Sequence, residues 1–207
     1  MNAYNYSKTV DLSASAEILV FLAYIGFSLL CALLLEVQIA KRYGKGHKLW
    51  KLLIPTTAAA LLILRFGYAL AALKGCILFL LLFYASVSDL TTREVDDSVP
   101  LMIGLTALIG IDTADLTGML LAAVLITVPQ LAVAVLKPGT YGGADIKLMA
   151  ASALLLGLTK GLLALVVGLS LAVAVMLVVR KIRHESAKEP FALVPFLSAG
   201  CLLAYII

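Results

Sequence analysis

The chain has few of the residues that soluble enzymes use for catalysis and metal binding. Its 207 residues include three cysteines and two histidines, and only 14% are charged. A soluble domain is usually about 25% charged. Cys31, Cys76 and Cys201 lie in apolar stretches without a CxxC pair, so the sequence argues against a disulfide framework and a zinc site. We expect neither a metal nor another cofactor.

Long apolar blocks dominate instead, since 63% of the residues are hydrophobic. A helix needs about 20 apolar residues to cross a bilayer, and unbroken blocks do not fit the alternation of a lipid-facing barrel strand. The sequence predicts an all-α, polytopic membrane protein. We expect about eight transmembrane helices, at residues 18–40, 52–70, 73–88, 99–111, 116–136, 144–158, 161–179 and 191–207. Residues 1–72 would form an N-terminal pair with a short basic loop, and residues 73–207 a six-helix core.

The basic residues are unevenly distributed between the predicted loops. Most lie in the loops 41–51, 89–98, 137–143 and 180–189, and short loops rich in Lys and Arg face the cytoplasm. We therefore predict a multi-pass protein of the cytoplasmic membrane with both termini outside. The net charge of +4 follows from this bias, so the bilayer is an expected partner and nucleic acid is not.

Two aspartates lie at the ends of apolar blocks, where a carboxylate is costly to place. Asp89 follows the block at residues 75–88, and Asp145 opens the block at residues 144–158. The predicted orientation brings both to the cytoplasmic face, and an ionisable residue in a membrane segment is by default a functional candidate. The simpler interpretations are a helix cap for Asp145 and a solvated loop edge for Asp89. Two such carboxylates together favour one shared site with acid–base chemistry.

The residues around Asp145 predict an irregular entry to its helix. Gly142 and Gly143 permit backbone conformations and close approaches that other residues do not. Asp145 would then lie in the first helical turn, where the helix dipole favours a carboxylate. Lys147 is two positions further on and does not share a face with Asp145, so we expect it to point towards the lipid headgroups.

Three further acids follow Asp89, namely Glu94, Asp96 and Asp97. Asp96 and Asp97 precede the next apolar block, and we expect them to cap its helix together with Ser98. The plain interpretation of all three is a solvated loop.

Taken in order, three segments resemble the type IV prepilin peptidase family, whose members are membrane aspartyl proteases with a GxGD-type motif. They are Asp-Leu-x-Thr-Arg-x-Val at residues 89–95, Gly-Gly-Ala-Asp-Ile-Lys-Leu at residues 142–148, and the stretch at residues 190–200 that contains Pro190 and Pro195. The resemblance implies an endopeptidase with Asp89 and Asp145 as catalytic residues. Its implied substrate is a pilin-like or archaellin-like precursor, which loses a short leader at the cytoplasmic membrane face.

The chain departs from this family's pattern at several positions. Ala144 replaces the usual glycine before the second aspartate, and Asp96 replaces a usual proline. Larger members carry a cytoplasmic CxxC domain linked to N-methylation, for which residues 41–51 are too few. The resemblance therefore implies a peptidase without methyltransferase activity. Because prepilin leaders are basic, Glu94, Asp96 and Asp97 are possible leader contacts.

Two alternatives stay open on the sequence alone. One is an intramembrane protease of the presenilin or signal-peptide-peptidase type, which would use the same two aspartates. The other is a cation-coupled transporter, in which the aspartates bind the cation and Gly142 and Gly143 break a helix.

Overall fold

The computed structural model describes residues 14–43, 50–67, 69–111, 113–139, 141–183 and 191–207. Over these ranges all regular structure is helical, in seven helices: α1 (Ala14–Tyr43), α2 (Trp50–Phe66), α3 (Leu70–Thr92), α4 (Ser98–Leu108), α5 (Thr113–Leu136), α6 (Gly143–Arg183) and α7 (Val194–Ile206). Four are long and apolar enough to cross a membrane, at Ile18–Lys41, Leu70–Thr92, Asp115–Leu136 and Gly143–Ile182. The all-α, polytopic prediction is confirmed, but the prediction of eight spans is wrong.

The lengths of the helices explain much of the difference between the predicted and the observed number of membrane spans. The helices α2, α4 and α7 contain 17, 11 and 13 residues. At about 1.5 Å per residue, 11 residues extend roughly 16 Å, well short of a hydrocarbon core of about 30 Å. The predicted segments 144–158 and 161–179 fall on either side of the interruption at Gly157 in α6.

Gly157 interrupts α6 with φ 75° and ψ 177°, a conformation that is essentially restricted to glycine. A Cβ added to Gly161 would lie 3.4 Å from Cα of Ala153. In a straight helix these two residues would be separated by about 12 Å. The chain therefore folds back at Gly157, and the two arms of α6 pack against each other.

The chain divides into two compact units, Met1–Leu80 and Leu81–Ile207, with the boundary inside α3. In the first unit α1 packs on α2. The buried residues Ser28, Ala32, Glu36 and Ile39 recur every three or four positions along α1, as expected for a helix that buries one face. The functional division at residues 72 and 73 stays a prediction.

In the second unit α6 packs against α4, α5 and α7. The contact with α7 is especially close, because a Cβ added to Gly200 would meet the carbonyl oxygen of Ala164 and lie 2.8 Å from the nitrogen of Gly168. A Cβ on Gly168 would in turn lie 2.9 Å from Cα of Leu197. Small residues let membrane helices approach closely, and here they fix the position of α7 against the second arm of α6.

Candidate active site

Asp89 lies in the last turn of α3 and not in the predicted loop 89–98, because α3 continues to Thr92. The hydroxyl of Thr91 donates to the carbonyl of Val87 at 2.6 Å, and that of Thr92 to the carbonyl of Ser88 at 3.0 Å. Both hydroxyls thus bond to carbonyls four residues back within the same helix. Asp89 is 8% exposed, which makes it a buried carboxylate at a helix end.

The chain reverses directly after α3 through a left-handed residue. Arg93 has φ 62°, the one positive φ outside glycine among the described residues. Its N–H donates to the carbonyl of Asp89 at 3.1 Å, and the hydroxyl of Ser88 donates to the carbonyl of Glu94 at 2.6 Å. Glycine usually occupies such a position after a helix, since other residues lose about 1–2 kcal/mol there. The positive charge of Arg93 also acts on the Asp89 carboxylate.

The N-terminus of α7 meets the Asp89 side chain. The N–H of Val194 donates to Oδ2 of Asp89 at 3.1 Å, and the backbone N–H of the preceding residue, Leu193, also favours the charge of this carboxylate. Proline at position 195, inside the first turn of α7, has no N–H to satisfy. The free N–H groups and the positive end of the helix dipole therefore favour a carboxylate at this point.

Contacts along its length hold α7 in this position. The hydroxyl of Ser86 on α3 donates to the hydroxyl of Ser198 at 3.0 Å, and Ser198 can donate to the carbonyl of Leu82 at 3.3 Å. At the other end of α7, Nζ of Lys160 donates to the carbonyl of Tyr205 at 3.3 Å. A carboxylate at the N-terminus and an ammonium at the C-terminus both match the dipole of this helix.

The predicted C-terminal motif corresponds to the beginning of α7. Pro190 lies outside the described residues, whereas Pro195 stands in the first turn. The rings of Phe191 and Phe196 stack with centroids 5.2 Å apart and join the residues on both sides of the helix start. The motif thus builds the helix end that binds Asp89.

Asp145 is held mainly by its own helix. Its Oδ2 accepts the N–H of Gly142 at 3.2 Å, as in the backward bond of a capping box, so the cap interpretation is correct in part. A Cβ on Gly142 would lie 2.9 Å from Oδ2 of Asp145, whereas a Cβ on Gly143 would have no atom within 4 Å. Gly142 leaves the space that the carboxylate occupies, and Gly143 does not. Ala144 is half-buried beside them.

In the second unit the two aspartates lie within electrostatic range of each other, since the charge of Asp89 affects the ionisation of Asp145. Tyr141 belongs to the same neighbourhood. Burial, and after it the negative charge of Asp145, raises the pKa of the Tyr141 phenol, so this hydroxyl keeps its proton beside the pair. Sequence reasoning missed Tyr141 and Arg93 as site residues, although both belong to the two segments that it singled out.

The three predicted leader contacts differ in their surroundings. The carboxylate of Asp97 pairs with Nζ of Lys147 at 2.8 Å, and Oδ2 of Asp96 accepts the Tyr84 hydroxyl at 3.1 Å. Glu94 is exposed. Asp97 occupies the N-cap position of α4 without a side-chain cap bond, so the capping prediction is wrong for Asp97. Lys147 pairs with Asp97 while both side chains stay more than half exposed, so the expectation that Lys147 points towards the lipid headgroups stays a prediction.

The site therefore consists of two carboxylates on separate helices, one bonded by the N–H of Val194 at the start of α7, the other by the N–H of Gly142 at the start of α6. Such a pair can share a proton and act together as acid and base. Across the described part of the chain, no group of three or more His, Cys, Asp or Glu side chains could hold a metal ion.

Comparison with known proteins gives one family match. Residues 76–178 match the model of the type IV leader peptidase family. No curated protein and no solved structure matches the chain. The matched region contains Asp89 and Asp145 and ends before α7. It confirms the predicted family and, with it, an aspartic-type peptidase.

Proposed function

We propose that this chain, which belongs to the type IV leader peptidase family and is an aspartic-type membrane peptidase, cleaves the leader from pilin-like or archaellin-like precursors. Asp89 and Asp145 are the proposed catalytic pair. The observation that carries this assignment is that two carboxylates from separate helices lie within electrostatic range of each other. Membership of a peptidase family also favours this function over a cation-coupled transporter.

The proposed chemistry needs one ionised and one protonated carboxyl group. The ionised group takes a proton from water, whose oxygen attacks the scissile carbonyl carbon, while the protonated group donates its proton to the carbonyl oxygen. The tetrahedral intermediate then collapses: one of its hydroxyl groups returns a proton to the second carboxyl group as the C=O bond forms again. The C–N bond breaks, and the amine leaves with a proton from the first carboxyl group. The products are a leader with a new carboxylate and a mature chain with a new amino group.

The depth of the site fits a precursor with a polar leader followed by an apolar helix. Asp89 lies in the last turn of α3 and Asp145 in the first turn of α6, so both belong to the ends of apolar segments. We place this end at the cytoplasmic face because the basic loops are there. The exposed Glu94, with Asp96 and Asp97 beside it, would meet a basic leader.

The test is cleavage of a pilin-like precursor by the purified protein in lipid vesicles, followed by mass spectrometry of both products. We expect one cut between leader and apolar helix, and a mature N-terminus without an added methyl group when a methyl donor is present. Asp89→Asn and Asp145→Asn should each abolish the cut. A cut within the apolar helix would instead support the intramembrane-protease alternative. Full activity in either variant would refute the assignment of the pair.

A further inference from the structure

We propose that Asp89 and Asp145 lie at the bottom of a water-filled depression, about 13 Å below the cytoplasmic surface of the hydrocarbon layer, and that the polar leader of the precursor enters this depression. The place of the leader rests on the proposed function. The depression itself follows from the alignment of the helices in the second unit.

Contacts at three levels align α7 with the second arm of α6, residues 158–183. They join Lys160 to Tyr205, Ala164 to Gly200 and Gly168 to Leu197. Residue numbers rise along α6 as they fall along α7, so the two helices run antiparallel. Three residues beyond the last contact, Val194 is level with Leu171. Because the N–H of Val194 donates to Asp89 at 3.1 Å, the carboxylate of Asp89 lies near the same level.

A separate contact places the other aspartate. The first arm of α6 packs against the second where a Cβ on Gly161 would lie 3.4 Å from Cα of Ala153, and the arms run in opposite directions because the chain folds back between them. Asp145 lies eight residues before Ala153 (153 − 145), so it is level with Leu169, eight residues after Gly161. That level is two residues, or about 3 Å, from the level of Asp89.

The second arm of α6 has the length of a full membrane span. Residues 161–179 include no charged side chain, and Lys160 and Arg180 flank them. The distance from residue 160 to residue 180 is about 30 Å, which is the thickness of a typical hydrocarbon core. Basic residues and tyrosines are common at the membrane surfaces, and Tyr205 bonds Lys160 at one end. Arg180 lies nine residues beyond Leu171 (180 − 171), so the aspartates lie about 13 Å below the surface that Arg180 marks.

The part of α6 beyond the aspartates has an apolar surface. Its exposed side chains include Val173, Val175, Leu177 and Val178. These residues lie on several faces of the helix, and a helix that is apolar around most of its circumference belongs in lipid or in a protein core. The end of α6 is therefore surrounded by hydrocarbon and does not project into the cytoplasm.

A charged pair lies exposed at the depth of the aspartates. Asp97 at the start of α4 pairs with Lys147 at 2.8 Å, and both side chains are more than half exposed. Lys147 lies two residues further along α6 than Asp145, and so further from the cytoplasmic surface. Exposed charges and helix ends are tolerated at membrane depth where they line a water-filled cavity. Water therefore reaches this level.

The depression is the space that short helices leave beside the second arm of α6. The helices α4 and α7 and the first arm of α6 all begin near the level of the aspartates, and α3 ends three residues after Asp89 (92 − 89). The second arm continues for twelve residues beyond Leu171 (183 − 171). Its end forms one wall of the depression, and the other helix ends form the bottom.

This shape fits a polar leader that joins an apolar helix. The apolar helix of the precursor would lie in the bilayer with its cut end at the aspartates, and the leader would run from there to the cytoplasm. About four extended residues, at about 3.3 Å each, cover this distance of about 13 Å. Glu94 and Asp97 are exposed at the bottom of the depression, where their charges complement a basic leader.

Thiol labelling in lipid nanodiscs tests the depression, because a sulfonated maleimide reacts with thiols in water and not with thiols in hydrocarbon. The reporters are Lys181→Cys at the surface, Leu177→Cys in the wall and Asp97→Cys at the bottom. We expect Lys181→Cys and Asp97→Cys to react at rates within about tenfold of each other, and Leu177→Cys to react at least about tenfold more slowly than both. The unsubstituted chain is the blank for the three native thiols.

The expected order is diagnostic because Leu177 lies between the other two reporters in depth. If Leu177→Cys reacts as fast as Lys181→Cys, the end of α6 is in water. If Asp97→Cys reacts as slowly as Leu177→Cys, the level of the aspartates is dry. Either result overturns the depression. Size exclusion in detergent checks the fold of each variant, and Lys147→Cys is the second reporter for the bottom.

The place of the leader is tested with the uncleaved precursor. Asp145→Asn is combined with Asp97→Cys and reconstituted with either the precursor or the mature chain that lacks the leader. We expect the precursor to slow labelling at position 97 by at least about threefold relative to the mature chain, as for a mostly occupied site. Equal labelling beside the two chains would show that the leader lies elsewhere.

The measurements separate the depression from the proposed function. If the wild type cleaves the precursor while Leu177→Cys reacts as fast as Lys181→Cys, the depression is wrong and the proposed function stands. If the labelling order is as expected and the wild type cuts no pilin-like precursor, the proposed function fails together with the place of the leader, and the depression stands.

Discussion

The two halves of the candidate site hold the same kind of side chain by different means. Asp145 is positioned by the three residues before it, through a bond to the N–H of Gly142 and the space that this glycine leaves. Asp89 is positioned by α7, whose N–H at Val194 follows it by 105 residues in the sequence. One carboxylate is thus fixed locally and the other by the packing of a distant helix.

Because the two aspartates are positioned by different means, substitutions near Asp145 and substitutions near α7 should have different effects. A change near Asp145 should act on one side chain with little effect on the rest of the fold. A change at the contact between α6 and α7 should affect both the stability of the protein and the position of the Asp89 side chain. The same contacts that bury α7 also place its N-terminus against the carboxylate.

The largest expected effect is the loss of either carboxylate. Asp89→Asn and Asp145→Asn keep the size of the side chain and an acceptor oxygen, but neither can serve as acid or base. We expect cleavage to fall by at least about 100-fold in each, with a melting temperature in detergent close to that of the wild type. Cleavage rates of the purified variants, measured beside their thermal unfolding, check this.

Lost stability with retained cleavage would contradict a catalytic site that the two aspartates share. If Asp145 were only a helix cap, Asp145→Asn would lose stability and keep activity. If one aspartate were catalytic and the other structural, the two variants would differ in rate by orders of magnitude, and the comparison between two halves of one site would break.

The second effect concerns the close contact between α6 and α7. Gly200→Ala places a Cβ against the backbone of Ala164 and Gly168, which cannot rotate away. We expect a destabilisation of about 1–3 kcal/mol and a loss of activity, because α7 must shift away from Asp89. Gly118→Ala in α5 is the matched control, since its Cβ would have no atom within 4 Å. Equal behaviour of the two variants would mean that the close α6–α7 contact does not position Asp89.

The third effect is local to Asp145. In Gly142→Ala a Cβ would lie 2.9 Å from Oδ2 of Asp145, so the carboxylate must rotate at a cost of about 0.5–1.5 kcal/mol. We expect kcat to fall by roughly three- to tenfold with little change in melting temperature. Gly143→Ala meets no atom within 4 Å and should cleave normally. A larger loss in Gly143→Ala than in Gly142→Ala would contradict this account of the two glycines.

The smallest effect belongs to the ion pair between the two segments. Lys147 and Asp97 lie 2.8 Å apart with side chains that are 56% and 75% exposed, and exposed pairs contribute about 0.2–1 kcal/mol. Lys147→Gln should therefore lower stability only slightly, and less at high salt. In a double-mutant cycle with Asp97→Asn, a coupling energy well above about 1 kcal/mol would show that this pair fixes the geometry of the site.

The reliability of the sequence predictions follows the range of the interactions involved. The apolar blocks predicted helices correctly, because a backbone in lipid must satisfy its own hydrogen bonds. The first-turn position of Asp145 was also predictable, since Gly142 and Asp145 are three residues apart. The end of α3 was not predictable, because the helix continues to Thr92 through polar residues that look like a loop.

The sequence by itself determined an all-helical membrane protein of the type IV leader peptidase family and singled out the two aspartates, because hydrophobic length and local motifs are properties of neighbouring residues. The tertiary structure decided that the N-terminus of α7 binds Asp89, that the chain reverses at Arg93 with a positive φ, and that α6 folds over at Gly157. The first of these depends on residues more than 100 positions apart. The other two depend on backbone conformations that only the packed chain selects.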